Sequence, residues 1–146
     1  MPLELLIFEI DDSVFAVPTS RVVRVLRAAA VFPLPEYPDV VCGGLDLRGD
    51  ILPVLDGRAL FGRPHKAIHP RDHMIVLESG AELFAIHVDR GLELVRVDAN
   101  KDDSQVAGKF IRQIVNTPRG PTAVADVDQL ASVCRPVVAE QAREQA

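Results

Sequence analysis

The sequence predicts a mainly β fold built as two similar small β-barrels packed on each other, with short helical turns and a C-terminal helix. Three observations lead there: a match of the chain to itself, a series of short apolar runs separated by tight-turn residues, and one helical apolar stripe near the end. Leu6-Ile7-Phe8-Glu9 aligns with Ile75-Val76-Leu77-Glu78, Phe15-Ala16-Val17 with Phe84-Ala85-Ile86, and Arg21 with Arg90, all at an offset of 69 residues. At an offset of 70, Val54-Leu55-Asp56-x-x-x-Leu60 aligns with Val124-Ala125-Asp126-x-x-x-Leu130, each motif running a strand into a capped turn of helix. One such match is what any two hairpins share. Two collinear matches at nearly one offset point to related barrels formed by interleaved halves of the chain. A barrel of ~70 residues has little core of its own, so the two must pack on each other. A groove is expected along their seam.

The elements follow in order. Leu3 to Ile10 and Val14 to Val17 form a first hairpin about Asp11-Asp12-Ser13. Pro18-Thr19-Ser20 opens a short helical turn, and the β-branched run from Val22 to Leu26 continues as a strand. That strand must end before Pro33, because Phe32-Pro33-Leu34-Pro35-Glu36-Tyr37-Pro38 is an extended connector.

The densest signal is Gly43 to Gly62. The runs Leu45 to Arg48 and Ile51 to Leu55 flank Gly49-Asp50, and Gly first in a two-residue loop suits a type II′ turn. Counting outward pairs Leu47 with Leu52 and Leu45 with Val54 on an inward face, with Asp46 and Pro53 on the other and Arg48 at the turn opposite Ile51. Pro53 implies an edge strand or an open side. Asp56 caps one helical turn, Arg58 to Phe61, which Gly62 ends.

Arg63 to His73 is basic, carries Pro64 and Pro70, and reads as a surface loop. His65, His69 and His73 recur every four residues, but the prolines argue against a continuous helix and no Cys or second acidic cluster completes a metal site. No metal is expected. Met74 to Leu77 and Leu83 to Val88 form a hairpin around Ser79-Gly80, and Leu92 to Val97 a further strand. Asp98-Ala99-Asn100-Lys101-Asp102 begins like a calcium loop but continues with Asp103 where Gly is required and Lys109 where Glu is, so it reads as a polar connector. Phe110 to Val115 and Thr122 to Ala125 flank the turn Pro118-Arg119-Gly120. Asp126 or Asp128 caps the last helix, whose Val127, Leu130, Ala131 and Cys134 form an inward stripe. Residues 1–135 make up the double-barrel domain and 136–146 a tail that is helical or frayed.

Composition bounds the function. The 146 residues are 48% hydrophobic and 25% charged with a net charge of −5, which fits a folded domain and gives no reason to expect nucleic acid as a partner. No apolar run approaches the ~20 residues of a membrane span. Without a signal peptide, Cys42 and Cys134 read as reduced thiols, and a cytoplasmic location is expected. Nor does an enzyme emerge: no nucleophile elbow is present, Ala107-Gly108-Lys109-Phe110 lacks the flanking residues of a phosphate loop, and Asp11-Asp12 and Asp102-Asp103 sit in turns. No cofactor is expected.

Gly43-x-x-x-Leu47-Arg48-Gly49-x-x-x-Pro53-Val54-x-Asp56, followed by Leu60-Phe61-Gly62, closely resembles the signature of CheW-type chemotaxis coupling proteins, G-x-x-N-L-R-G-x-x-x-P-V-x-D-L. Weaker resemblance runs from Leu5 to about Val133, including Phe15-Ala16-Val17-Pro18 and Val88-Asp89-Arg90. The resemblance implies a pair of five-stranded SH3-like barrels and a non-catalytic adaptor. Such an adaptor bridges the cytoplasmic tip of a chemoreceptor and the regulatory domain of a CheA-type histidine kinase, recruited to membrane-associated arrays without inserting into the membrane. A divergent subunit that binds receptor or another regulator but not the kinase is the alternative. By the same resemblance Val22, Gly43, Leu47 and Arg48 fall at the receptor-binding groove and Ile51 near the kinase-facing edge. Val22 and Leu47 can equally be core, Gly43 a backbone necessity, and Arg48 an internal tie. Two positions depart from the pattern: Asp46 replaces Asn, and Arg24 replaces the Glu of Val-x-Glu-Val. These altered charges either compensate, with Arg24 pairing with Asp46 or with another acid nearby, or are independent drift on exposed strand faces, in which case they tune partner choice.

Overall fold

The computed structural model describes residues 2–98 and 108–137. The calcium-like stretch beyond Asp98 and the tail beyond Val137 lie outside those residues. Ten strands run β1 (Pro2–Ile10), β2 (Ser13–Pro18), β3 (Val22–Arg27), β4 (Val41–Leu47), β5 (Asp50–Asp56), β6 (His73–Ser79), β7 (Glu82–Val88), β8 (Arg90–Asp98), β9 (Ile111–Thr117) and β10 (Gly120–Ala125). A 3₁₀ turn, Thr19–Arg21, precedes β3, and two short helices, α1 (Gly57–Leu60) and α2 (Val127–Ser132), follow β5 and β10.

The strands form two five-stranded sheets of the same design, β8-β1-β2-β10-β9 and β3-β6-β7-β5-β4. In each, a hairpin (β1–β2 or β6–β7) forms the centre and one strand joins it in parallel, β10 beside β2 or β5 beside β7. The sheets exchange segments: β1 and β2 from the first half build one barrel with β8 to β10, while β3 to β5 build the other with β6 and β7. The repeat therefore survives in three dimensions as the interleaving its offset predicts.

The core divides the same way. Leu5, Ile7, Ala16, Val115 and Val124 fill the first barrel, and Leu45, Leu52, Val54, Met74, Val76 and Ala85 the second. Alternate residues of the same strands point into the seam, where Leu6, Phe8, Phe15 and Val17 meet Ile75, Leu77, Phe84 and Ile86. Strand alternation thus sends one face of each central hairpin to its own barrel and the other to the partner barrel. The α2 stripe closes one end of the seam, with Leu130 and Ala131 buried and Cys134 only 8% exposed. Burial pushes the thiols of Cys42 and Cys134 up to about 11 and about 12, so both are neutral near pH 7.

The central hairpin differs from the expected register. Leu47 pairs with Asp50, Asp46 with Ile51, Leu45 with Leu52, and Gly43 with Val54. The two-residue loop is therefore Arg48-Gly49, with φ of 54° and 93°, as a type I′ turn requires, and the II′ turn at Gly49-Asp50 does not form. Asp46 supplies a local reason, because its Oδ1 accepts the Gly49 N–H at 2.8 Å and so holds the turn one residue earlier. The slide keeps parity, so Leu45, Leu52 and Val54 still face inward and Asp46 still shares the outer face with Pro53. Nor is β5 an edge strand: Pro53 lies one residue before the pairing with β7 begins.

Candidate functional site

The hairpin β4–β5 is held from both ends. At its base Asp56 caps α1 by accepting the N–H groups of Arg58 and Ala59. Along its outer edge, beside β4, runs the connector after β3, where Phe32 and Gly44 exchange backbone hydrogen bonds of 3.1 and 2.8 Å. A Cβ on Gly43 would stand 2.7 Å from the Phe32 carbonyl oxygen, and one on Gly44 2.6 Å from the Phe32 ring. The two glycines are what allow this close approach.

These restraints leave a rigid tip with few exposed groups. Arg48 is exposed at the turn, and Ile51, 52% exposed, shares the outer face with Asp46. Phe32, over Gly44, adds a partly exposed ring to that face. Leu47 is half-buried against the interior of the second barrel, and Gly43 is buried under the connector. Val22, on the strand at the other end of the sheet, is half-buried against the seam. Its neighbours on β3 are the exposed ones: Val23 and Val25 stand 47% and 41% open to solvent. The structure thus brings Gly43, Leu47, Arg48 and Ile51 into one hairpin, and sets Val22 apart on β3.

Arg24 and Asp46 do not pair. They sit on strands at opposite ends of the sheet order, the Asp46 carboxylate is engaged by the turn, and Arg24 makes no ion pair among the described residues. The expected groove along the seam is filled by the largest apolar cluster, and the open cleft at the barrel junction is lined mostly by charged side chains. His65, His69 and His73 lie in the loop and at the start of β6, with His69 Nδ1 accepting the Arg71 N–H. Among the described residues no group of three His, Cys, Asp or Glu side chains clusters as a metal site.

Two polar ties escaped sequence reasoning. Arg58, 7% exposed, contacts Asp89 Oδ2 at 2.6 Å and Asp11 Oδ1 at 2.5 Å, so α1 of one barrel grips the β1–β2 turn of the other and the β7–β8 corner at which the chain crosses between them. Burial disfavours the Asp89 charge, yet the Arg58 guanidinium and the Asp11 N–H outweigh it and hold this carboxyl below its usual range. The second tie is the buried pair His87 Nε2 and Asp72 Oδ2, 2.9 Å apart, whose carboxylate also accepts the His69 N–H and so pins the preceding loop to β7. Val88-Asp89-Arg90 was the available signal for the first, but a carboxylate gives no hint from sequence of which arginine will bury against it.

The model of the CheW-like domain family matches residues 4–134. The chain is 33% identical over 94 residues to Protein FrzA of Myxococcus xanthus, which spans 64% of this chain and 59% of that protein. Chemotaxis protein CheW of Thermotoga maritima is 26% identical over 131 residues, covering 87% of this chain and 86% of the relative. A 24% match to Chemotaxis protein CheW of Helicobacter pylori spans 54% of that relative's length. The fold is similar to that of the scaffolding protein TtCheW from Thermoanaerobacter tengcongensis, with a TM-score of 0.78 at 20% identity, covering 87% and 86% of the two chains.

Proposed function

The chain belongs to the CheW-like domain family, and from that premise we propose that it is a non-catalytic adaptor joining a chemoreceptor's cytoplasmic tip to the regulatory domain of a CheA-type histidine kinase. The observation that carries this reading is the hairpin tip. Its core-facing residues and both its ends are locked, while Arg48 and Ile51 are presented outward. A rigid scaffold that exposes a few side chains is what recognition by contact needs, since little ordering entropy is lost on binding. On this reading Arg48, with Leu47 and Gly43 shaping the strand behind it, meets the receptor helices together with β3 around Val22. Ile51, an exposed apolar residue on the outer face, meets the kinase. Arg24 and Asp46, being exposed and unpaired with each other, tune which partner is accepted rather than how tightly.

The test is to measure the affinity of the purified protein for the cognate receptor fragment and for the kinase regulatory domain separately. Binding to both is expected, with Arg48→Ala weakening the first and Ile51→Ala the second. Receptor binding alone identifies the divergent subunit instead, and binding to neither overturns the adaptor reading.

A further inference from the structure

Where the two barrels meet on the side of the 63–72 loop, an open cleft of about 930 Å³ is lined by charged residues of both. Its carboxylates are already committed. Asp11 and Asp89 hold Arg58, Asp72 holds His87 and the His69 N–H, and Glu9 is paired with Arg119. Its remaining cations are not: Arg27, Lys66, Arg71 and Arg90 are exposed and make no ion pair among the described residues. The carboxylates that share the cleft offset part of this charge, Lys66 favouring the ionised Asp89, but none is paired with these four side chains, whose donors are left open to an anion.

The fold, not chance on the surface, brings them together. Arg27 ends β3 of one barrel and Arg90 begins β8 of the other. Gly91 brings the start of β8 beside β3 and β6, since a Cβ there would stand in ordinary van der Waals contact with Val25, at 3.4 Å, and His73, at 3.7 Å. The His73 ring lies in the field of both guanidiniums. Burial first, then the charge of Arg27 and more weakly that of Arg90, outweigh the opposing Asp72 carboxylate and keep it below the usual histidine range. The His87–Asp72 tie holds the end of the loop bearing Lys66 and Arg71 against this face.

We propose that this cleft is a binding site for a small molecule carrying a phosphate or other multiply charged oxyanion. The guanidiniums of Arg27 and Arg90 grip the anion from two barrels, and Lys66 and Arg71 close over it from the loop. Planar guanidinium donors suit bidentate contact with phosphate oxygens, and the cleft is of the size that encloses small ligands. The site is separate from the hairpin tip and does not depend on the adaptor reading.

The experiment is a titration of the full chain with inorganic pyrophosphate at low ionic strength, followed by amide chemical shifts. Saturable shifts confined to the neighbourhood of Arg27, residues 66–73 and Arg90 are expected. Arg27→Gln and Arg90→Gln should each weaken binding about tenfold or more, as loss of a charge-assisted hydrogen bond implies, while Arg24→Gln leaves it unchanged. Should either variant prove unfolded by circular dichroism, Arg71→Gln on the loop serves in its place. Absent or non-saturating shifts, or shifts spread equally to Arg24, Arg48 and Arg112, would overturn the proposal. So would tighter binding of an acidic peptide than of pyrophosphate at the same residues, which would make the cleft a protein-docking surface.

Discussion

Arg58 and Asp128 occupy equivalent positions in the two halves of the chain and carry opposite charges. Each is the second residue after the Asp that caps its helix, Asp56 for α1 and Asp126 for α2. Each reaches the corner that leads into a crossing strand. Arg58 meets Asp89 before β8, and Asp128 meets Arg21 before β3 with oxygen–nitrogen distances of 2.9 and 3.1 Å. Each also holds a residue at a hairpin turn: Asp11 contacts Arg58, and Ser79 donates to Asp128 at 2.6 Å. The same three-part tie thus fastens both crossovers with its polarity reversed.

The ties differ in burial, and so in what they contribute. Arg58 is 8% exposed at its side chain, whereas Arg21 and Asp128 are 33% and 58% exposed. Removing one partner of a buried pair strands the other charge, so Arg58→Ala should lower unfolding free energy by about 3 kcal/mol or more. Arg21→Ala should cost less than about 1 kcal/mol. Chemical denaturation of the two variants checks the contrast, and equal effects would show that burial does not decide it.

Acid should release the Arg58 tie. The folded Asp89 carboxyl titrates below the 3.8 of an ordinary Asp, so the unfolded chain binds more protons in the window between them and stability rises with pH there. The contribution is complete above the usual carboxylate range and is lost as pH falls through the depressed value. Asp89→Asn should therefore be less stable at neutral pH and show a flatter loss of stability on acidification. Parallel pH profiles for the two proteins would count against this assignment.

Gly43 is predicted to be needed by the fold whatever it does in binding. Gly43→Ala should destabilise by about 1–3 kcal/mol, because the new methyl meets the Phe32 carbonyl and Val31 and the connector must move. Thermal melts measure it. An unchanged melting temperature would mean the connector yields freely, and a binding defect in that variant would then be local.

Much of this architecture was legible because it rests on patterns the chain states twice. The offset pairs Leu6 with Ile75 and Phe15 with Phe84, and all four residues meet in the seam. The helix cap at Asp56 was readable, since a short acceptor before a helical turn has one local use, whereas for the last helix Asp126 and Asp128 were both candidates and the structure selects Asp126. The hairpin turn was misplaced because Gly-x suggests II′ unless one sees that Asp46 can satisfy the Gly49 N–H and that Arg48 tolerates a left-handed φ. The oxyanion cleft was out of reach for another reason. Arg27, Lys66, Arg71 and Arg90 share no local pattern, and only the strand exchange brings them together.

Arg24 and Asp46 should behave independently. With the Asp46 carboxylate engaged by its own turn and no ion pair to Arg24, a double-mutant cycle of Arg24→Ala and Asp46→Ala should be additive within about 0.5 kcal/mol in stability. Asp46→Ala alone should loosen the turn. A larger coupling energy would show a contact formed in solution that this conformation lacks.

Arg48 offers the cleanest separation of fold from recognition. Its φ of 54° lies where a residue with a Cβ is strained, yet its side chain is exposed and makes no ion pair among the described residues. Arg48→Ala keeps the strain and removes only the guanidinium, so its stability should change by less than about 0.5 kcal/mol. Arg48→Gly relieves the strain and should raise stability by up to about 1 kcal/mol, despite the greater entropy of the unfolded glycine chain. If Arg48 is a receptor contact, both variants should lose receptor affinity to a similar extent although their stabilities differ. Affinity that follows stability instead, falling in neither or recovering in the glycine variant, would show that Arg48 shapes the turn and does not itself touch the receptor.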